Sequence, residues 1–353
     1  MSPTDPPPRA DEDELTARIA ALEAKLVAFE EVQARPSRDW ATILERGGLV
    51  IAWGLLILIL GAFRPEQMFA WNSYATMLGS NAMIVVLTLA LMIPLVAGDF
   101  DLSVAATMGL SSMLIAVLNV KAGIEIGPAV LIAIAAGAAV GAANAFFTLY
   151  FGIHSLIVTL GSGYFVAGLI LWVSGANTIA GISMDLVNAV ILTRLLGVPL
   201  AFYYAAALTA VIWYVFQYTS LGRRLLFVGL GREVAKLSGV NVVVLRAGAF
   251  VASGAVAAIA GVLYTGMRGA SDPSSALAFL LPAFAAAFLG STTIYPGRFN
   301  APGAFIAVFF LSTGIMGLNF LGVDSFVQNL FYGGGLILAV SVSQLIRGRQ
   351  PMD

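Results

Sequence analysis

Ionisable residues are scarce in this chain, so those that interrupt its apolar runs stand out. Ala97-Gly98-Asp99-Phe100-Asp101-Leu102-Ser103 places two carboxylates two residues apart between two such runs. A carboxylate at mid-bilayer costs roughly 2.5–3.5 kcal/mol on insertion scales, so such residues line aqueous cavities or sit at an interface. Three readings are open. The segment is a tight turn with Asp101 or Ser103 capping the next helix, a re-entrant break facing a polar passage, or a pair of proton-coupling aspartates.

A second polar cluster is Gly229 to Val240, GLGREVAKLSGV, also held between apolar runs. Gly229 and Gly231 punctuate the chain, and Arg232 to Ser238 is long enough for about two helical turns, closed by Gly239 in the usual C-terminal stop position. Arg232, Glu233 and Lys236 carry charge, while Val234 and Leu237 form an apolar side and Ala235 lies between. A helix of this kind faces water, and its apolar side suits a groove on a soluble partner. The glycines are not a phosphate loop, because the G-x-x-x-x-G-K-[ST] spacing is missing. Without context the stretch also reads as an ordinary amphipathic loop.

The elements that position these clusters follow from composition. Of 353 residues 59% are hydrophobic and 10% charged, against about 25% charged in soluble domains. Lipid is therefore the solvent for most of the chain. A bilayer crossing takes about 20 apolar residues. Gaps between charges and turn residues give about ten candidate spans, at 47–63, 80–98, 102–120, 127–150, 155–175, 196–217, 243–266, 276–290, 301–320 and 326–346. The expected fold is an all-α polytopic membrane bundle. The eighth run is short and is expected to be tilted, broken or half-spanning. Residues 176–195 make a long connection in which MDLVNAVILTR forms a helix at the membrane surface.

Lys and Arg placement sets orientation. With the N-terminus inside, inside connections and the tail hold Arg223, Arg224, Arg232, Lys236, Arg246, Arg298, Arg347 and Arg349, while outside connections hold Arg64, Lys121, Arg194 and Arg268. Both termini are therefore expected in the cytoplasm. Three regions follow: a cytoplasmic segment 1–46, a transmembrane domain 47–346 and a tail 347–353. The first holds 10 of the 19 acidic residues. Its opening is acidic and proline-rich, unlike a cleavable signal. Leu15, Ile19, Leu22, Leu26 and Phe29 then form a short heptad seam over residues 12–34.

Several chemistries are excluded or disfavoured. No cysteine means no thiol nucleophile or thiolate site, and the single histidine, His154, excludes a multi-histidine metal site. An intramembrane hydrolase is hard to assemble from this inventory. His154 reads as an interfacial residue near the inside end of the fifth span. Gly137 and Gly141 form GxxxG, which allows close helix approach within the bundle. Gln328 and Asn329 in the last span pair between helices or face a polar path.

Four segments carry a family resemblance, in order, from about residue 48 to 346. LSGV-x-V-x-x-x-R with AFVASGAVAAIAGVLYTGMRGASDP resembles the membrane permease of ribose-type monosaccharide ABC importers. AGDFDLSVAATMGL is similar to that family's GGIDLSVGS-like segment. GAANAFFTLYFGIHSLIVTLGSGYFVAGL matches its N-G-x-x-V…FIVTLGTM-like segment at Asn144, Ile157, Val158, Thr159, Leu160 and Gly161. FLGSTTIYPGRFNAPGAF resembles its LGGTSLxGGRGSVxGT-like segment at Leu289, Gly290, Thr292, Gly297, Arg298 and Gly303. The chain departs at Gly231, where the family has Asn, at His154, where it usually has Pro, and at Leu280 and Pro282, in place of an acidic pair.

The resemblance implies an importer permease in the bacterial inner membrane. The stretch from Gly231 to Leu237, with Gly239, would engage an ABC ATPase subunit. A periplasmic solute-binding protein would deliver the substrate, and a second permease copy would complete the pathway. No cofactor is expected on this chain, since ATP belongs to the partner, and no nucleic acid is implied. The chain is not expected to be an enzyme, because it lacks a Walker-type loop. Asp99, Asp101, Ser103, Asn144, Thr159, Gln328 and Asn329 are the candidates for the translocation path. The competing expectation is an ion-coupled secondary transporter of a small polar solute using Asp99 and Asp101.

Overall fold

A computed structural model describes residues 39–324 and 326–347. The heptad seam over 12–34 and the tail beyond 347 lie outside them, and the geometry below lies within Glu45–Asp353, one compact unit.

Helices dominate because the apolar runs must satisfy their backbone polar groups internally. The first is α1 (Asp39–Phe63), followed by the single turn α2 (Pro65–Met68). Helices α3 (Trp71–Ser80) and α4 (Ala82–Val96) form one span bent by 41° at Asn81, whose Nδ2 donates to the Met77 carbonyl at 2.9 Å. Helix α5 (Val104–Ala116) continues as a π-helical turn to Lys121. Helices α6 (Ile126–Tyr150) and α7 (Ser155–Ser174) complete the first half.

The connection after α7 holds the short α8 (Met184–Val187), extended by a π turn to Leu192, close to the surface helix expected there. Helix α9 (Leu200–Tyr218) leads into α10 (Ser220–Leu230) and α11 (Arg232–Leu237). Helices α12 (Val242–Arg268), α13 (Leu280–Gly290), α14 (Ala301–Phe320) and α15 (Phe326–Arg347) finish the chain. The eighth run is broken as expected, a 3-10 turn over Ala276–Phe279 preceding α13.

The architecture is the expected all-α polytopic bundle. A helix or helix pair occupies each of the ten apolar runs, but the count of ten crossings is not what length supports. Among the described residues, six helices are long and apolar enough to cross a membrane, or seven with α3 and α4 joined. Gly47–Phe63, Ala276–Gly290 and Phe326–Leu338 are shorter.

Every residue of α4 is buried, as expected for a helix that is apolar all round. It forms the bundle axis, packed by α12, α10, α9, α13 and α14. Helix α12 also packs along α5 and α6. At the α6–α12 seam, a Cβ added to Gly141 would lie 2.2 Å from the Phe250 carbonyl oxygen, and one added to Gly137 would lie 2.5 Å from that of Gly254. GxxxG therefore packs within the bundle. Leu131, Phe146, Tyr164 and Trp172 on α6 and α7 face outward as a lipid surface.

Two-residue strands tie the connections beyond α7 and α12. Ile179–Ala180 pairs antiparallel with Ala270–Ser271, and Thr178 Oγ1 donates to Asp272 at 3.0 Å. The Asp272 carboxyl is held below the usual carboxylate range, chiefly by the Ser274 backbone N–H that donates to it.

Candidate functional site

Residues 97–103 leave the helical path between α4 and α5 and are among the most buried polar segments of the chain. Asp99 is 2% exposed and Asp101 1%. Chain this irregular survives at membrane depth only when neighbours satisfy its backbone. Helix α7 supplies much of that. Ser155 Oγ accepts from the Phe100 N–H at 3.1 Å, and Thr159 Oγ1 accepts from the Leu102 N–H at 3.1 Å. His154 caps α7, its Nδ1 accepting from the Leu156 N–H at 3.3 Å.

The two carboxylates have different partners. Asp101 accepts from the Ser103 N–H at 3.0 Å, the Ser103 hydroxyl at 2.6 Å and the Ser253 hydroxyl of α12 at 2.9 Å. Asn144 of α6 donates to Ser103 Oγ at 2.8 Å. The segment is irregular and buried, with Asp101 accepting from the N–H two residues on, while Ser103, at the N-cap of α5, makes no side-chain cap bond. Asp99 is gripped by arginines. Arg246 of α12 binds both its oxygens, at 2.6 and 2.7 Å. Arg232, the first residue of α11, donates to Asp99 at 3.0 Å and to the Gly98 carbonyl at 2.8 Å. Bidentate arginine–carboxylate pairs of this kind are the stronger, geometrically selective ones.

Helix α11 spans Arg232–Leu237, and Gly239 follows it at φ 79°. Ala235 is fully buried, while Val234 and Leu237 are 58% and 88% exposed. Two apolar side chains thus project from a charged turn whose first residue reaches the buried aspartate. Glu233 and Lys236 are also on the exposed side of the turn. One expectation is corrected. Gly229 is not a break before the helix but part of α10, which runs to Leu230. Its role is close approach, because a Cβ there would sit 2.0 Å from the Val96 carbonyl oxygen. Helix α10 therefore leans directly on the end of α4.

Asp99, Asp101, Ser103, Asn144 and Thr159 thus converge on one buried knot. Gln328 and Asn329 do not join it. Gln328 donates to Asn319 at 3.1 Å, and Asn329 is exposed. Sequence reasoning missed Arg246, Ser155 and Ser253 as parts of the knot. Arg246 carried a signal, being a lone cation four residues into an apolar helix. The serines carried none.

A separate opening lies near the start of the bent span. A cavity of about 450 Å³ is lined by Asn72, Ser73, Thr76, Ser312, Asn319 and Tyr332, from α3, α14 and α15. Its lining and the knot stand at opposite ends of α4, a 15-residue helix about 22 Å long at 1.5 Å per residue.

The molecule is thus a polytopic helical bundle with a short exposed helix tied to its buried core through Arg232. Residues 73–340 match the family described as branched-chain amino acid transport system / permease component, and the chain belongs to that family. It is 28% identical over 317 residues to the D-allose transport system permease protein of Escherichia coli (strain K12), covering 90% of this chain and 97% of that protein. It is 29% identical over 261 residues to the autoinducer 2 import system permease protein of Photorhabdus luminescens, covering 72% and 78%. The corresponding protein of Yersinia enterocolitica serotype O:8 is 29% identical over 297 residues, covering 81% and 88%. No solved structure matches the chain. The resemblance to sugar-importer permeases is met by these relatives.

Proposed function

We propose that this chain is the transmembrane permease of an ATP-binding-cassette importer that moves a sugar or sugar-like solute across the bacterial inner membrane by alternating access. In this reading the knot end faces the cytoplasm with both termini, as the Lys and Arg placement indicates. A separate ATPase subunit binds ATP and docks on α11, a binding protein delivers the solute, and a second permease copy completes the pathway. The D-allose and autoinducer 2 relatives support the solute class.

The observation that carries the proposal is the continuity from Leu237 to Asp99. The exposed Val234 and Leu237 offer a handle, Arg232 ties that turn to Asp99, and Arg246 ties Asp99 to the core helix α12. A force on α11 therefore reaches the non-helical segment 97–103 and α12 together. ATP-driven closure of the ATPases would bias two states of the permease through this linkage. The same geometry counts against ion coupling through Asp99, whose charge is already balanced by two guanidinium groups.

Lys236→Pro tests the docking role. At the fifth residue of α11, proline removes a backbone donor and clashes with the preceding turn, at about 3 kcal/mol or more locally, and leaves the apolar spans unchanged. The expected result is a permease present in the membrane that neither retains its ATPase on purification nor stimulates ATP hydrolysis with loaded binding protein. Undiminished association and stimulation would place the docking element elsewhere.

A further inference from the structure

We infer that the cavity between α3, α14 and α15 is a binding site for a neutral polyhydroxylated solute, at the end of the bundle remote from the aspartate knot. The inference rests on the importer reading and adds a location and a chemical basis for selectivity. The volume of about 450 Å³ falls within the roughly 300–1,000 Å³ of small-molecule sites.

The lining chemistry is selective. None of the lining residues is Asp, Glu, Lys, Arg or His, so an anionic or cationic ligand would meet no counter-charge. The polar groups are amides and hydroxyls, which both donate and accept. Among the described residues, the side chains of Asn72, Ser73, Thr76 and Ser312 make no hydrogen bond within the chain. Ser312 is nevertheless buried, at 5% exposure. Asn319 is oriented by Gln328, which donates to its Oδ1 at 3.1 Å and so leaves its amide N–H groups to face a ligand.

Met77, Met316 and Phe320 line the same cavity. A sugar presents this mixture in complement, with hydroxyls around its edge and C–H groups on its faces. A lipid chain does not, since filling the site with hydrocarbon would strand several amides and hydroxyls without partners.

The test uses the assembled permease with its ATPase and binding protein in proteoliposomes. Thr76 is exposed on the cavity wall, and the chain has no cysteine, so Thr76→Cys introduces a unique thiol. Labelled D-allose, D-ribose, D-glucose and myo-inositol are first screened for ATP-dependent uptake. The transported compound, at saturating concentration, is expected to slow N-ethylmaleimide labelling of Thr76→Cys at least threefold, while gluconate is not. Thr76→Trp is expected to lower uptake at least tenfold, with the complex still co-purifying intact.

Uptake by the wild type with unprotected labelling, or wild-type uptake by Thr76→Trp, would overturn the site and leave the importer reading standing. A disulfide between two copies at the introduced thiol would make this face a subunit contact and also overturn it. No uptake of any compound in the panel by the wild type would instead remove the sugar reading itself, and this site with it.

Discussion

The knot around Asp99 and the cavity around Ser312 are both polar regions in an apolar bundle, yet they are built oppositely. In the knot nearly every polar group is spoken for, the buried Asn144 Oδ1 being the exception among its named side chains. Asp99 is held by two arginines and Asp101 by two serines, while Ser155 and Thr159 hold the backbone between them. In the cavity, four polar side chains have no partner within the described chain. A satisfied polar group fixes a conformation, because each possible rearrangement strands a buried donor or acceptor. An unsatisfied group beside an open volume is available to a ligand. On the proposed reading, the first region holds shape and passes force, and the second receives solute.

The largest expected effect comes from removing the charge at the centre of the knot. Asp99→Asn leaves the Arg246 guanidinium, whose side chain is 15% exposed, without its counter-charge. Breaking one partner of a buried pair costs about 3–5 kcal/mol. A sharp fall in the thermal midpoint of the detergent-solubilised permease is expected, with partial recovery in Asp99→Asn/Arg246→Gln. An unchanged midpoint in the single variant would break the contrast. Thr159→Val is expected to be milder. It removes the acceptor for the Leu102 N–H and is expected to cost about 1–3 kcal/mol, read by the same melt.

Ser312→Ala is expected to be the smallest for stability, within about 0.5 kcal/mol, because no intramolecular bond is lost. Its effect is expected in the solute concentration giving half-maximal uptake, raised several-fold at constant thermal midpoint. A destabilisation as large as that of Thr159→Val would show that the two polar regions are built alike.

Much of the knot was legible in the sequence because its members are rare there. Two aspartates, an asparagine and a threonine inside apolar runs had to find partners, and they found them in arginines, serines and backbone groups of one region. The exposed turn α11 was legible for the same reason, as charge bracketed by glycines. The cavity was not legible. Asn72, Ser73 and Thr76 lie before the apolar core of their span and read as a loop, and Ser312 is one of two adjacent hydroxyl residues in an otherwise largely apolar span. Their convergence depends on α3 joining α4 at a 41° bend, which periodicity does not encode. Gly229 was misread as punctuation because glycine signals a turn and a close packing contact with the same letter.

The interlocked seam between α6 and α12 has a kinematic consequence. With a carbonyl of each helix seated where the other's side chain would be, the pair has no clearance for shear. Each helix is keyed to its neighbour around Gly137, Gly141 and Gly254, a contact that resists sliding of one along the other. Relative movement is then left to joints that are not keyed, such as the elbow at Asn81, bent by 41° beside the cavity.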